Sequence, residues 1–205
     1  ANKDLPLIQK DIEKAKALLT EAGWEDTNGN GIRDKMIDGK LVEMEMEYMV
    51  TPGSVFASTL SEVMKDGASQ VGVEITIVPR EPRVMMGEDV ARREYALFGY
   101  GAGGNHLLDD FTQLWHTASN TPRGGNRWQF GNAETDALIE EINATMDPAK
   151  RNELYQEFQR IVYEEQPIIF LFSPMERVVV SKRWEGNASQ LLPNYQLRDF
   201  KLIKK

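Results

Sequence analysis

Asp26, Asn28, Asn30 and Asp34 come nearest to a spaced set of ligating side chains. They lie in DTNGNGIRDKMIDGK, residues 26–40. Alternating side-chain oxygens around a glycine suit a hard cation such as calcium, which takes oxygens from positions 1, 3, 5, 7 and 9 of a twelve-residue loop. Counted from Asp26, Gly31 falls at the glycine position and Asp34 at position 9, but position 12 is Ile37. The bidentate carboxylate is absent and two of the remaining ligands are neutral asparagines, so any calcium held here is held weakly. The same residues make turns: Asn-Gly and Asp-Gly steps supply left-handed backbone at little cost. The loop is therefore expected to be a turn, with a weak calcium site as the alternative and no other cofactor implied. A calcium sensor also needs a helix after the loop, whereas KLVEMEMEYMV alternates like a strand.

Other candidates are thinner. GYGAGG, residues 99–104, matches G-x-G-x-x-G after a strand, but NHLL replaces the helix that would hold a pyrophosphate. Glycines at a strand end more simply let backbone bend or approach a ligand closely. His106, Asp109, Asp110 and His116 bracket a short helix, but the two histidines are ten residues apart, and a metal site would want a third ligand and a second shell. The pairs Glu140/Glu141 and Glu164/Glu165 fit exposed helix faces. No G-x-S-x-G, H-E-x-x-H or phosphate-loop motif occurs. Trp128, in a glycine-rich loop, is expected to be exposed. Residue chemistry alone stops at a soluble α/β domain with no catalytic signature.

The elements that must position these groups follow from periodicity. The 205 residues are 41% hydrophobic, enough for a core. A formal net charge of -8 argues against nucleic acid as a partner. No apolar run reaches the length of a membrane span. There are no cysteines, hence no disulfides or thiolate sites. The opening ANKDLPLIQKD looks like a cut rather than a natural start. A helix is expected over 11–22, capped by Asp11, with Ile12, Ala15, Leu18, Leu19 and Ala22 on one face and Gly23 at its end. Residues 41–50 predict a strand with Met44, Met46 and Tyr48 on one side and glutamates on the other. A helix capped by Ser54 follows, with Phe56, Leu60, Val63, Met64 and Gly67 in helical register, then the strand VGVEITIVP: a βαβ unit. Further on come a short helix over 83–93, the strand EYALFGYG and the short helix DDFTQLWHT. Helices ETDALIEEINATM (Leu138, Ile139, Ile142 and Met146 inward) and Asp147-Pro148 onward (Leu154, Phe158, Ile161 and Val162 inward) come next. IIFLFS and RVVVSKRW are expected as two final strands.

Several of these phrases fall into one order. DIEKAKALLTEAGWEDTNGNGIRDK, GVEITIVP, REYALFGYG, GNRWQFGNAETDALIEEI and DPAKRNELYQEFQRIVYEEQPIIFLFS together resemble the extracytoplasmic solute-binding proteins of peptide-type ABC transporters, solute-binding family 5. The resemblance runs from about residue 11 to 181. It implies an α/β fold, a periplasmic-binding-protein-like lobe with a mixed β-sheet flanked by helices. Members of that family are longer and two-lobed, so residues 1–184 would be the C-terminal lobe and 185–205 a tail that packs on the missing N-terminal lobe.

The implied function is the substrate-binding component of an ABC importer. It would be monomeric, capture oligopeptides or similar solutes in the periplasm or at the cell surface, be anchored as a lipoprotein, and work with permease subunits. The expected contacts are Tyr100, Asn105, His106, Asn126 and Trp128. Many peptide binders of the family place an aspartate after the third strand to meet the peptide amine; here none directly follows the glycines, and Asp109 and Asp110 come late. Two other classes stay open: a calcium-stabilised structural module built on the Asp26 loop, and an enzyme using the His106–His116 region.

Overall fold

The computed structural model describes residues 2–101, 110–173, 178–187, 189 and 195–203. The first helix, α1 (Ile12–Glu21), begins where expected: the Asp11 carboxylate accepts from the Lys14 N–H at 2.9 Å. It ends at Ala22, followed by Gly23 in the left-handed region. None of its side chains is fully buried; Ile12, Ala15 and Leu19 are half-covered and Leu18 is exposed.

The expected strand over 41–50 is two strands. The hairpin β1 (Asp34–Ile37) and β2 (Lys40–Glu43) pairs antiparallel, and β3 (Glu45–Val50) starts afresh in a different sheet. Met44 is the break, because its N–H donates to Arg33 and its carbonyl accepts from Glu74. β3 is followed by α2 (Val55–Ser69) and β4 (Glu74–Pro79), which pairs parallel with β3, so the βαβ unit is present. β5 (Leu97–Phe98) pairs parallel on the other side of β3, giving the order β4-β3-β5. Between them, α3 (Pro82–Val84) and α4 (Val90–Arg92) are joined by one π-helical turn, Met85–Asp89.

This parallel sheet is covered on both faces. Tyr48, Val50 and Ile75 pack against Ala57, Met64 and Ala68 of α2, while Met49 packs against Met85 and Val90. The expected alternation holds over the first four residues of β3, where Glu45 and Glu47 are exposed beside half-buried Met46 and buried Tyr48; the last three, Tyr48, Met49 and Val50, are all buried, because a parallel strand sandwiched between helices has two dry faces. Of the expected face of α2, Met64 packs inward and Leu60 and Gly67 are half-buried, but Phe56 and Val63 are exposed and Ala57, Ser61 and Ala68 take their places on the buried side.

A helical layer completes the fold: α5 (Thr112–Trp115), α6 (Ala133–Ala144) and α7 (Pro148–Glu165). Asn132 and Thr135 form a reciprocal capping box on α6, and Asp147 caps α7 before Pro148. Ile139, Ile142, Phe158 and Val162 are buried as expected, with Phe130. Met146 is not inward: it lies past the end of α6 and is 84% exposed. IIFLFS is not a strand in its described residues, and the described part of RVVVSKRW contributes only to β6 (Trp184–Glu185), which pairs with β7 (Lys201–Leu202). Ile169, Phe170, Leu171 and Phe172 are exposed, and a strand needs an edge to pair with. No helix among the described residues is long and apolar enough to cross a membrane.

Candidate functional site

The strands of a parallel sheet all end on one side, and ligands in such folds bind beyond the strand carboxyl ends. Here that side carries Gly99, Tyr100 and Gly101 after β5. Tyr100 is 43% exposed. Its ring lies edge-on to Phe98 at 6.3 Å and to Trp128 at 6.1 Å. Arg127 covers it, with the guanidinium 5.0 Å from the ring centroid and Nη1 donating to the Tyr100 hydroxyl at 3.2 Å. Trp128 continues the aromatic row to Trp115 at 4.9 Å, and Trp115 reaches Phe130 and Phe158. The row joins the sheet to the helical layer and leaves its Tyr100 end open to solvent.

Trp128 is half-buried rather than exposed, and its indole N–H is buried without a partner among the described residues. A buried donor in that state is uncommon and marks a place where an acceptor is wanted. Asn126 was expected to meet ligand. Instead it is 0% exposed and fully engaged. Its Nδ2 faces the carbonyls of Trp115, His116 and Phe130 at 3.2, 3.2 and 2.7 Å, and its Oδ1 accepts from the Phe130 N–H at 3.2 Å. Asn126 therefore shapes the loop rather than touching solute. Asn105 and His106, the remaining expected contacts, lie outside the described residues, as does Asp109. Asp110 caps: it accepts from Thr112 at 2.8 Å and from Asn143 at 3.2 Å, and the Thr112 hydrogen bonds hold its carboxyl below the usual range.

Arg127 was not singled out from the sequence, although two arginines flank the glycine pair in PRGGNRW. Its backbone is fixed by the Tyr95 hydroxyl, which donates to the Arg127 carbonyl. Gly124 and Gly125 press the preceding loop against neighbouring backbone: a Cβ at either would overlap the carbonyl oxygen of Ser119 or of Gln113. His116 serves the same loop. Its Nδ1 accepts from the Ala118 N–H at 3.0 Å, and Nε2 faces Glu140 at 3.6 Å.

At the Asp26 loop the ligating oxygens already have partners. Asp26 accepts from Gly29 and Gly31, Asn28 Oδ1 from Asn30, and Asn30 Oδ1 from Ile32. Asp34, 1% exposed, accepts from the Thr27 N–H and hydroxyl. The Asn28 and Asn30 amides both turn their Nδ2 toward Glu43, across the hairpin. Among the described residues no group of three or more His, Asp or Glu side chains is placed to hold a metal. Arg33 then ties the loop to the sheet: its guanidinium donates to the Trp24 and Val71 carbonyls, and its N–H to Gly72.

The parallel sheet is covered on both faces and carries an aromatic and arginine platform beyond one strand end, and no catalytic constellation is visible among the described residues. The family model described as bacterial extracellular solute-binding proteins, family 5 Middle, matches residues 1–125, more than half of the chain, and the chain belongs to that family. It is 26% identical over 184 residues to the oligopeptide-binding protein AppA of Bacillus subtilis (strain 168), covering 89% of this chain and 33% of AppA. It is 25% identical over 187 residues to the nickel-binding periplasmic protein of Escherichia coli (strain K12), covering 91% of this chain and 35% of that protein. The structure of the oligopeptide-binding protein AppA from Bacillus subtilis in complex with a nonapeptide superposes with a TM-score of 0.78 at 24% identity, over 100% of this chain and 40% of that chain. The periplasmic-binding-protein-like α/β lobe is thereby established, and the chain spans about a third of the length of the curated relatives it matches.

Proposed function

We propose that this chain is one lobe of a two-lobed receptor that captures peptides or similar solutes outside the cytoplasmic membrane for an ABC importer. The observation that carries this reading is the open platform of Tyr100, Arg127 and Trp128 beyond the end of β5. A rigid aromatic surface with one cation suits recognition of varied solutes through stacking and a fixed polar contact. AppA, a relative named for oligopeptide binding, supports a peptide as solute, and the nickel-binding relative keeps a metal chelate in view.

The second lobe is supported by the apolar surface left uncovered. Phe56 and Phe172 meet edge-on at 5.4 Å, both exposed, and Ile169, Phe170 and Leu171 continue the patch. Such a patch marks an interaction surface, and IIFLFS has strand composition without a strand partner. The proposed partner is the remainder of the same protein, which residues 185–205 would also contact. Permease subunits, a lipid anchor and a monomeric state belong to the same proposal.

The test is a tryptophan-fluorescence titration of the full-length protein with pentapeptides. Trp128→Ala is expected to weaken binding by roughly tenfold or more, as for a central aromatic contact. Unchanged affinity would move the site away from β5.

For the Asp26 loop we propose a structural turn that leads α1 into the first hairpin. Millimolar calcium should leave the melting temperature within about 1 °C of its starting value. A calcium-stabilised module with a ten-micromolar site would instead gain on the order of 2–3 kcal/mol, a rise of several degrees.

A further inference from the structure

The two Asn-Gly steps of the sequence, Asn28-Gly29 and Asn30-Gly31, stand side by side in the Asp26 loop. An asparagine before glycine carries a reaction of its own. The glycine nitrogen can attack the asparagine Cγ, because glycine has no side chain to obstruct the approach and its backbone turns freely. A C–N bond forms to Cγ as the Cγ–Nδ2 bond breaks, closing a cyclic imide. The glycine nitrogen gives its proton to solvent, and the amide nitrogen takes one from water and leaves as ammonia. Water then opens the imide at either carbonyl, leaving aspartate or isoaspartate. Asp26 to Gly31 are all exposed, so solvent reaches both steps and burial does not protect them.

Hydrogen bonds oppose the reaction at each stage. One carboxylate occupies both attacking nitrogens: the Gly29 N–H donates to Asp26 Oδ1 at 2.7 Å, and the Gly31 N–H to Asp26 Oδ2 at 3.0 Å. An anion that accepts an N–H favours the protonated amide, so the nucleophile is harder to form. A second carboxylate occupies both leaving nitrogens, because the Nδ2 groups of Asn28 and Asn30 donate to Glu43 Oε1 at 3.0 and 2.6 Å. The carbonyl ends are pinned as well: Asn28 Oδ1 accepts from the Asn30 N–H at 3.0 Å, and Asn30 Oδ1 from the Ile32 N–H at 2.8 Å. Swinging either Cγ onto the next nitrogen therefore breaks at least one charge-assisted bond. Glu43 is itself fixed in place: it ends β2, is half-buried, and stands in register with buried Asp34.

We propose that Asn28 and Asn30 are spontaneous deamidation sites, and that Asp26 and Glu43 hold them unreacted while the hairpin is formed. Local opening of the hairpin takes Glu43 from both amides at once, so the two steps become reactive together. Hydrolysis of the imide does not restore the amide. A carboxylate at position 28 or 30 would face Glu43 and exchange a hydrogen bond for like-charge repulsion. An isoaspartate would also add a methylene to the backbone of the turn. The loop that leads α1 into β1 would then no longer close on the hairpin as it does in the unmodified chain.

The experiment incubates the full-length protein in mildly alkaline buffer, folded and in guanidinium chloride. Aspartate and isoaspartate at positions 28 and 30 are followed by peptide mass spectrometry. Both steps are expected to react roughly tenfold or more slowly in the folded protein, the weight of a charge-assisted hydrogen bond that must break before the ring closes. Glu43→Ala should raise both folded-state rates together, and Asp26→Ala should raise them as well. Glu43→Gln, which keeps an acceptor oxygen, should fall between wild type and Glu43→Ala. Circular dichroism at the incubation temperature checks that each variant is folded, and Glu43→Gln carries the comparison if an alanine variant unfolds. Equal rates in the folded and unfolded protein overturn the proposal. So do folded variants that react no faster than wild type. An Asp26→Ala protein that reacts more slowly also overturns it, since Asp26 would then be the base that drives the reaction rather than the group that restrains it.

Discussion

Phe158→Ala is expected to lower the unfolding free energy of the chain by about 3–5 kcal/mol, the largest effect of any single truncation here. Phe158 is 2% exposed and sits at the centre of the helical layer. Its ring centroid lies 4.8 Å from Phe111, 5.8 Å from Trp115 and 6.3 Å from Phe130. Truncation removes the transfer free energy of the ring and leaves a cavity that the surrounding rings, Trp115 and Phe130 edge-on and Phe111 tilted, cannot easily refill. Trp115 would lose one support, and Trp128, packed against Trp115 with the rings tilted, would lose some of its order. Urea denaturation measures the change; a midpoint shift at constant slope identifies it as lost stability. A loss below about 1 kcal/mol would mean that this layer is not the main core.

Asn126→Ala is expected to cost about 2–4 kcal/mol without removing any apolar surface, because buried acceptors left without donors cost more than an average hydrogen bond contributes. The Asn126 side chain faces three carbonyls from α5, the following turn and Phe130, and accepts from the Phe130 N–H. No neighbouring donor replaces it, since the site is 0% exposed. Asn126→Asp separates this role from simple packing. It keeps the shape but places a carboxylate against carbonyl oxygens, so it should be at least as damaging at neutral pH. Burial and the carbonyls favour the protonated acid, whose folded-state pKa is thus raised. The variant should recover stability as pH falls and lose it as pH rises through that raised value. Thermal melts across pH test this; a flat profile equal to wild type would show that Asn126 is dispensable. Solute affinity should fall in the same variants, because the loop that presents Arg127 and Trp128 is fixed by this residue.

Helix ends and the βαβ unit were legible because their causes are local. Asp11, Ser54 and Asp147 cap as their positions suggest, and the inward faces of α6 and α7 follow the 3.6-residue period. What escaped depends on tertiary partners. Met44 interrupts the strand because its backbone is claimed by Arg33 and Glu74. Phe56 and Val63 carry apolar periodicity toward solvent, the side on which the proposed second lobe would pack. IIFLFS has the composition of a strand and no edge to join. At the site, Tyr100 and Trp128 could be suggested because strand-end tyrosines and loop tryptophans are conspicuous. Asn126 was misplaced because a polar residue in a glycine-rich loop looks exposed, and only the three converging carbonyls reveal its burial. Arg127 escaped notice because a loop arginine is ordinary; the glycine pair just before it was the available signal, since it forces the backbone into close contact.

Native mass spectrometry of the full-length protein, purified without denaturation, tests the central claim most directly, with the chain of residues 1–205 as control. A receptor whose site lies between two lobes should carry adducts of peptide mass on the full-length protein, released by mild unfolding, and none on the single lobe. A full-length protein free of adducts that also stays free when incubated with a pentapeptide library would contradict a solute-capturing role for the platform of Tyr100, Arg127 and Trp128.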